Sequence, residues 1–99
     1  MKEEITVVEI IRAVKGKQDD LKKALEAIVP ISRMAKGCLQ YDLLGPLEKG
    51  PGEFLVLMRW ENRDDLRRHE SSSYIHDFVQ KYENILYSDV SVTEWKKWH

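Results

Sequence analysis

The sequence is poor in the features that most often announce a function. It has one cysteine, Cys38, which excludes an internal disulfide and fits a reducing compartment. No apolar run approaches the ~20 residues of a membrane span. The opening MKEEITVVEI carries acids where a secretory leader needs a basic region. No charge dominates: 16 Lys and Arg against 17 Asp and Glu leave a net charge of −1, so there is no electrostatic case for nucleic acid or an anionic membrane. The five glycines sit in turns and build no phosphate-cradling loop. His69-Glu70 begins like a zinc-hydrolase helix, but the position four after His69, where a second histidine is needed, is Ser73. There are no repeats, low-complexity tracts or linkers. These absences leave a cytoplasmic protein with neither membrane nor nucleic acid among its partners as the expectation.

What is present reads as one soluble domain over residues 1–99, with 42 % hydrophobic and 33 % charged residues. The organising stretch is EFLVLMRWENRDDLRRHESSSYIHDF, Glu53 to Phe78. It opens as a strand with Phe54, Val56, Met58 and Trp60 on one face and Leu55, Leu57 and Arg59 on the other. A strand apolar on both faces is normally covered on both. After Trp60 the period becomes helical. Asn62 is placed to cap, with Asp64 and Asp65 in the first turn where the helix dipole favours acids. Leu66 and His69, three apart, share a face, so His69 is aimed inward.

Before it, ITVVEIIRAV (Ile5 to Val14) predicts a strand, again apolar on both faces, with Glu9 beside Val7 and Ile11 on one of them. A helix follows from Gln18 to about Ala35, with Leu21, Ala24, Leu25, Ile28 and Ser32 on one stripe. Pro30 on its outer side predicts a kink or break, and Gly37 is placed to end the helix at C′. Cys38 to Leu44 predicts a second strand with Leu39, Tyr41 and Leu43 on one face. Gly45-Pro46 to Pro51-Gly52 is a loop. After the central stretch, Ser71–Ser73 separates the two helical runs. Ile75, Phe78, Val79, Tyr82, Ile85 and Leu86 then form a helical stripe to about Tyr87, with His76 toward solvent. Val90 to Trp98 predicts a weaker last strand.

The order β-α-β-β-α-β, with a split second helix, is the α+β ferredoxin-like arrangement. Its first and third strands are central, matching the two that are apolar on both faces. Helices can cover only one face of the sheet. A second copy is the simplest cover for Val8, Ile10, Leu55 and Leu57, so the patterning predicts a homodimer joined sheet to sheet; a monomer offering that face to another partner is the alternative. An RNA-recognition module shares this order but needs a basic-Gly-aromatic-Gly-aromatic third strand, which GEFLVLMRW is not.

From Ile5 to about Trp95 the chain resembles the antibiotic biosynthesis monooxygenase family of dimeric α+β barrels. The resemblance is carried by AIVPISRMAKGCLQYDL and LVLMRWENRDDLRRHESSSYIHDF, above all by the proline within a helix before Gly37-Cys38 and by the spacing of Trp60 and His69. The family includes cofactor-free oxygenases of quinols and anthrones, haem-degrading enzymes and an isomerase of a phosphorylated sugar. Residue by residue, the haem-degrading pattern is missing: its iron-binding His falls at Val79, its first-strand Asn at Glu9 and its distorting Trp at His69. Of the aromatic-polyketide pattern only Trp60 remains, since Val56, Leu66 and Gln80 stand at its other positions. Quinol monooxygenases and the isomerase match best, with a His at the place of His69; their second His, five residues on, is here Tyr74.

Such a pocket implies oxygenation with no metal, flavin or other cofactor. The substrate, a small aromatic quinol or anthrone, must itself reduce dioxygen once deprotonated. His69, with an ordinary pKa of ~6.5, fits the base. Glu9 orients that His or serves as base itself, its pKa raised if buried. Trp60, Phe54, Met58 and Phe78 are the expected aromatic-binding walls, and Tyr41 and Tyr74 the expected hydroxyl donors. Two other functions stay open: a non-catalytic ligand-binding dimer of the same fold, and a sugar-phosphate isomerase, whose cationic contacts would have to come from Arg12 and Arg59 on the predicted dimer face.

Overall fold

The computed structural model describes residues 3–48, 52–87 and 90–99. Its elements run β1 (Ile5–Arg12), α1 (Gln18–Arg33), β2 (Cys38–Leu44), β3 (Glu53–Trp60), α2 (Arg63–Glu70), α3 (Ser73–Tyr82), a 3-10 turn (Glu83–Ile85) and β4 (Ser91–Trp95). The strands form one antiparallel sheet in the order β2-β3-β1-β4. This is the ferredoxin-like arrangement, and the two strands with apolar residues on both faces occupy its centre.

One face of the sheet carries the core. Val7, Ile11, Val56, Met58 and Trp60 are nearly fully buried there against Leu21, Ala24, Leu25 and Ile28 of α1. Each such large side chain contributes about 1.5–3 kcal/mol by leaving water. The other face bears Val8, Ile10, Leu55 and Leu57, each only half-buried. No helix of the described residues is long and apolar enough to cross a membrane.

Five expectations are corrected locally. Pro30 neither breaks nor ends α1, which continues to Arg33. Proline removes one backbone donor, leaving the carbonyl of residue i−4 without its partner; both Pro30 and Glu26 are exposed, so that carbonyl is open to water. The helix closes at Met34 rather than at Gly37. Leu39 does not share the face of Tyr41: the pairing with β3 shifts between Cys38 and Gln40, and the bulge turns Leu39 outward at 45 % exposure. The final elements are shorter than the periodicity suggests. The stripe of α3 leaves the helix after the 3-10 turn, because Leu86 bridges to Ala13 and Tyr87 N–H donates to the Arg12 carbonyl. β4 spans only Ser91–Trp95, where its pairing with β1 ends at Thr6–Trp95. Residues 49–51 of the predicted loop lie outside the described residues.

Candidate functional site

A cavity of about 330 Å3 lies between the sheet and the helices. Val7, Glu9 and Ile11 of β1, with Tyr41 and Met58, form its floor. Leu25 and Ile28 of α1, Leu66, His69 and Glu70 of α2, and Phe78 of α3 close over it. Val79, Val90 and Val92 stand at its more exposed edge. Glu9, His69, Tyr41, Met58 and Phe78, far apart in sequence, therefore share one apolar space.

The position of α2 follows from its first turn. The Asn62 side chain accepts from Asp65 N–H at 3.0 Å and donates to the Asp65 carboxylate at 2.9 Å. Arg68 donates to the same carboxylate at 2.6 Å. Asp65 is buried against Gly37, so closely that a β-carbon on Gly37 would sit 2.1 Å from an Asp65 oxygen. Gly37 also has φ +80, a backbone region costly for residues with a side chain. Absence of a side chain there lets α2 dock with Leu66 and His69 inward, 2 % and 6 % exposed.

His69 is held on three sides. Trp60 stacks on it at a centroid distance of 4.6 Å and 33°. Tyr41 meets it edge-on at 5.7 Å. Its Nδ1 hydrogen-bonds Tyr74 Oη at 2.5 Å, which leaves Nε2 as the nitrogen without a hydrogen-bond partner among the described residues. Burial pushes its pKa down to about 4, so the ring is neutral at pH 7. Burial, reinforced by the charge of Glu70, lifts Glu9 to about 6. The Glu9 carboxylate makes no hydrogen bond or ion pair with any described residue, and none joins it to His69. Burial also raises Tyr41 well above the usual phenol range, so it keeps its proton; the Cys38 thiol is raised for the same reason.

The remaining sequence candidates stand elsewhere. Trp60, fully buried, backs His69 rather than lining the cavity. Tyr74 holds His69 and does not line it either. Phe54 lies toward the loop end, beside an open groove that also takes in Gly45, Pro46 and Leu47. Glu70 was not among the candidates. It stands four residues after Leu66 and reaches the cavity only at its rim, where it is exposed. Among the described residues no group of three or more His, Cys, Asp or Glu converges where a metal ion could sit.

Residues 4–81 match the family model of antibiotic biosynthesis monooxygenase. The chain belongs to this family. No curated protein is similar enough in sequence to match. Among solved structures, PA3566 from Pseudomonas aeruginosa is 27 % identical, with a TM-score of 0.90 covering 100 % of this chain and 98 % of that one. A Deinococcus radiodurans protein provisionally assigned as an antibiotic biosynthesis monooxygenase is 20 % identical, with a TM-score of 0.85 over 96 % and 93 % of the two chains. A further structure bearing the family's name is 22 % identical, with a TM-score of 0.84 over 94 % and 97 %. At such identities the last two establish a common fold only.

Proposed function

We propose that this family member is a cofactor-independent monooxygenase of a small aromatic quinol or anthrone, with Glu9 as the base. The observation that carries the reading is the unpartnered Glu9 carboxylate, with a pKa of about 6, inside an apolar cavity beside neutral His69 and protonated Tyr41. A general base works best with a pKa near the operating pH. His69, at about 4, is too weakly basic for that role. Its Nε2 and the Tyr41 hydroxyl serve instead to hold the substrate oxygen as charge develops.

In the proposed reaction Glu9 takes a proton from the bound substrate. The resulting anion passes one electron to dioxygen, and the radical pair joins through a new C–O bond. The peroxide anion takes back the proton held by Glu9, and the resulting hydroperoxide loses water to leave a carbonyl. One oxygen atom remains in the product; the other departs as water with two hydrogens from the substrate. The apolar walls keep bulk water from the anion. Two copies pairing through the open sheet face would cover Val8, Ile10, Leu55 and Leu57.

The isomerase alternative lacks support in the lining. Among the described residues no Lys or Arg lines the cavity, and Arg12 and Arg59 are engaged on the opposite sheet face with Glu53 and with Gln40 and Glu4. A non-catalytic ligand-binding dimer is the competing reading. Oxygen uptake by metal-free, flavin-free protein on reduced naphthoquinols, benzoquinols and anthrones separates the two. The oxygenase gives uptake above autoxidation that Glu9→Gln abolishes; a binding protein gives none.

A further inference from the structure

We propose that the cavity is charge-selective: it takes a small aromatic that is uncharged or bears an ammonium group, and turns away aromatics bearing carboxylate or phosphate. The inference rests on the reading that this cavity is the substrate site, but not on turnover.

Among the described residues its lining contains two carboxylates and no Lys or Arg. Glu9 lies in the floor, and Glu70, exposed, stands at the rim by the end of α2. Every other element facing Glu9 is uncharged there: Leu25 and Ile28 from α1, Tyr41 from β2, Met58 from β3, Phe78 from α3, Val92 from β4. His69 adds no positive charge at pH 7. The nearest arginines of α2 do not line the space, and Arg68 is paired with Asp65. An incoming anion would thus lose its hydration and meet the charge of Glu9 across low-dielectric walls, with that of Glu70 at the rim adding to it and no cation among the described lining residues to offset the loss.

The reverse holds for a donor. Because Glu9 makes no hydrogen bond or ion pair with described residues, an O–H or N–H of the ligand supplies its first partner. A charged donor forms the stronger, charge-assisted bond. Size narrows the class further: about 330 Å3 stands at the small end of the roughly 300–1,000 Å3 typical of ligand sites.

The test is equilibrium binding under anaerobic conditions at pH 7.5 with three probes of one shape: 2-naphthol, 2-naphthylmethylammonium and 2-naphthoate. The alcohol and the ammonium should bind, with naphthoate at least ten-fold weaker than either. Glu9→Gln should bring naphthoate and naphthol within about three-fold, with Glu70→Gln closing part of the gap. Lowering wild type to pH 5 should narrow it too, without any substitution. Naphthoate binding as tightly as naphthol, or a gap unmoved by Glu9→Gln and by pH, overturns the proposal. No binding of any probe by a protein that consumes oxygen on quinols overturns it while leaving the oxygenase intact. The expected pattern without oxygen uptake on any quinol upholds it and removes the oxygenase.

Discussion

Replacing Glu9 by Gln should stabilise the protein while destroying its proposed activity. The folded state raises this carboxyl from 4.5 to about 6, which corresponds to about 2 kcal/mol. The sign follows from proton linkage. Between these two pKa values the folded state binds more protons at Glu9 than the unfolded state does, so stability falls as pH rises through that window. Below pH 4.5 the carboxyl is neutral in both states and the penalty vanishes. Gln keeps the shape and is neutral throughout. Urea unfolding at fixed protomer concentration should therefore show Glu9→Gln and wild type nearly equal near pH 4. At pH 8 the variant should be more stable by about 2 kcal/mol, a midpoint shift of about 1 M for a slope of 1–3 kcal/mol per molar. A difference that does not change with pH, or a variant less stable at pH 8, would refute the idea that Glu9 is held in the cavity as an uncompensated carboxylate.

His69 gives the opposite pH dependence. Its folded pKa is lowered from 6.5 to about 4, so wild type should lose about 3 kcal/mol as pH falls across that interval; a His69→Gln variant unfolded in parallel should lack this loss. Tyr74→Phe removes the hydrogen bond to Nδ1 and should cost about 1 kcal/mol, with nitrogen NMR of the ring changing from one fixed tautomer to a mixture. Gly37→Ala combines a positive φ with a collision against Asp65, whereas Gly16→Ala meets the same backbone strain with open space around it. Thermal or urea unfolding should place the first at more than twice the cost of the second, which is about 1–2 kcal/mol.

The fold was readable because it depends on period. Val7, Val56 and Met58 alternate with Val8, Leu55 and Leu57, and only a central strand asks for apolar residues on both faces. Asn62 caps as its spacing implies, and within the serine triplet it is Ser72 that caps the next helix. The bulge at Leu39 left no mark, since CLQYDLL reads as an uninterrupted strand whichever residue is extruded. Asp65 looked like an ordinary first-turn acid; its burial under Gly37 depends on a contact across 28 positions of sequence. At the site, sequence located the residue types but not their surroundings. His69 is inward, as its spacing with Leu66 implies. Its loss of basicity comes from Trp60, Tyr41 and the packed helices around it. Glu9 gains basicity from the same burial, which exchanges the roles the two residues would take from their ordinary pKa values. Trp60 was expected on the wall and Tyr74 as a hydroxyl donor to the substrate, because aromatic type says nothing of whether a ring faces a ligand or supports a neighbour.

The most direct test of Glu9 as base is the pH dependence of kcat/KM for oxygen uptake on a quinol that the protein accepts. Such a profile reports the pKa of the essential base in the free protein. An ascending limb with an apparent pKa near 6, retained when His69 is replaced by Gln and lost with all activity in Glu9→Gln, is the predicted result. A limb near 4, or activity that survives Glu9→Gln and disappears with His69, would contradict it and return the base to the histidine.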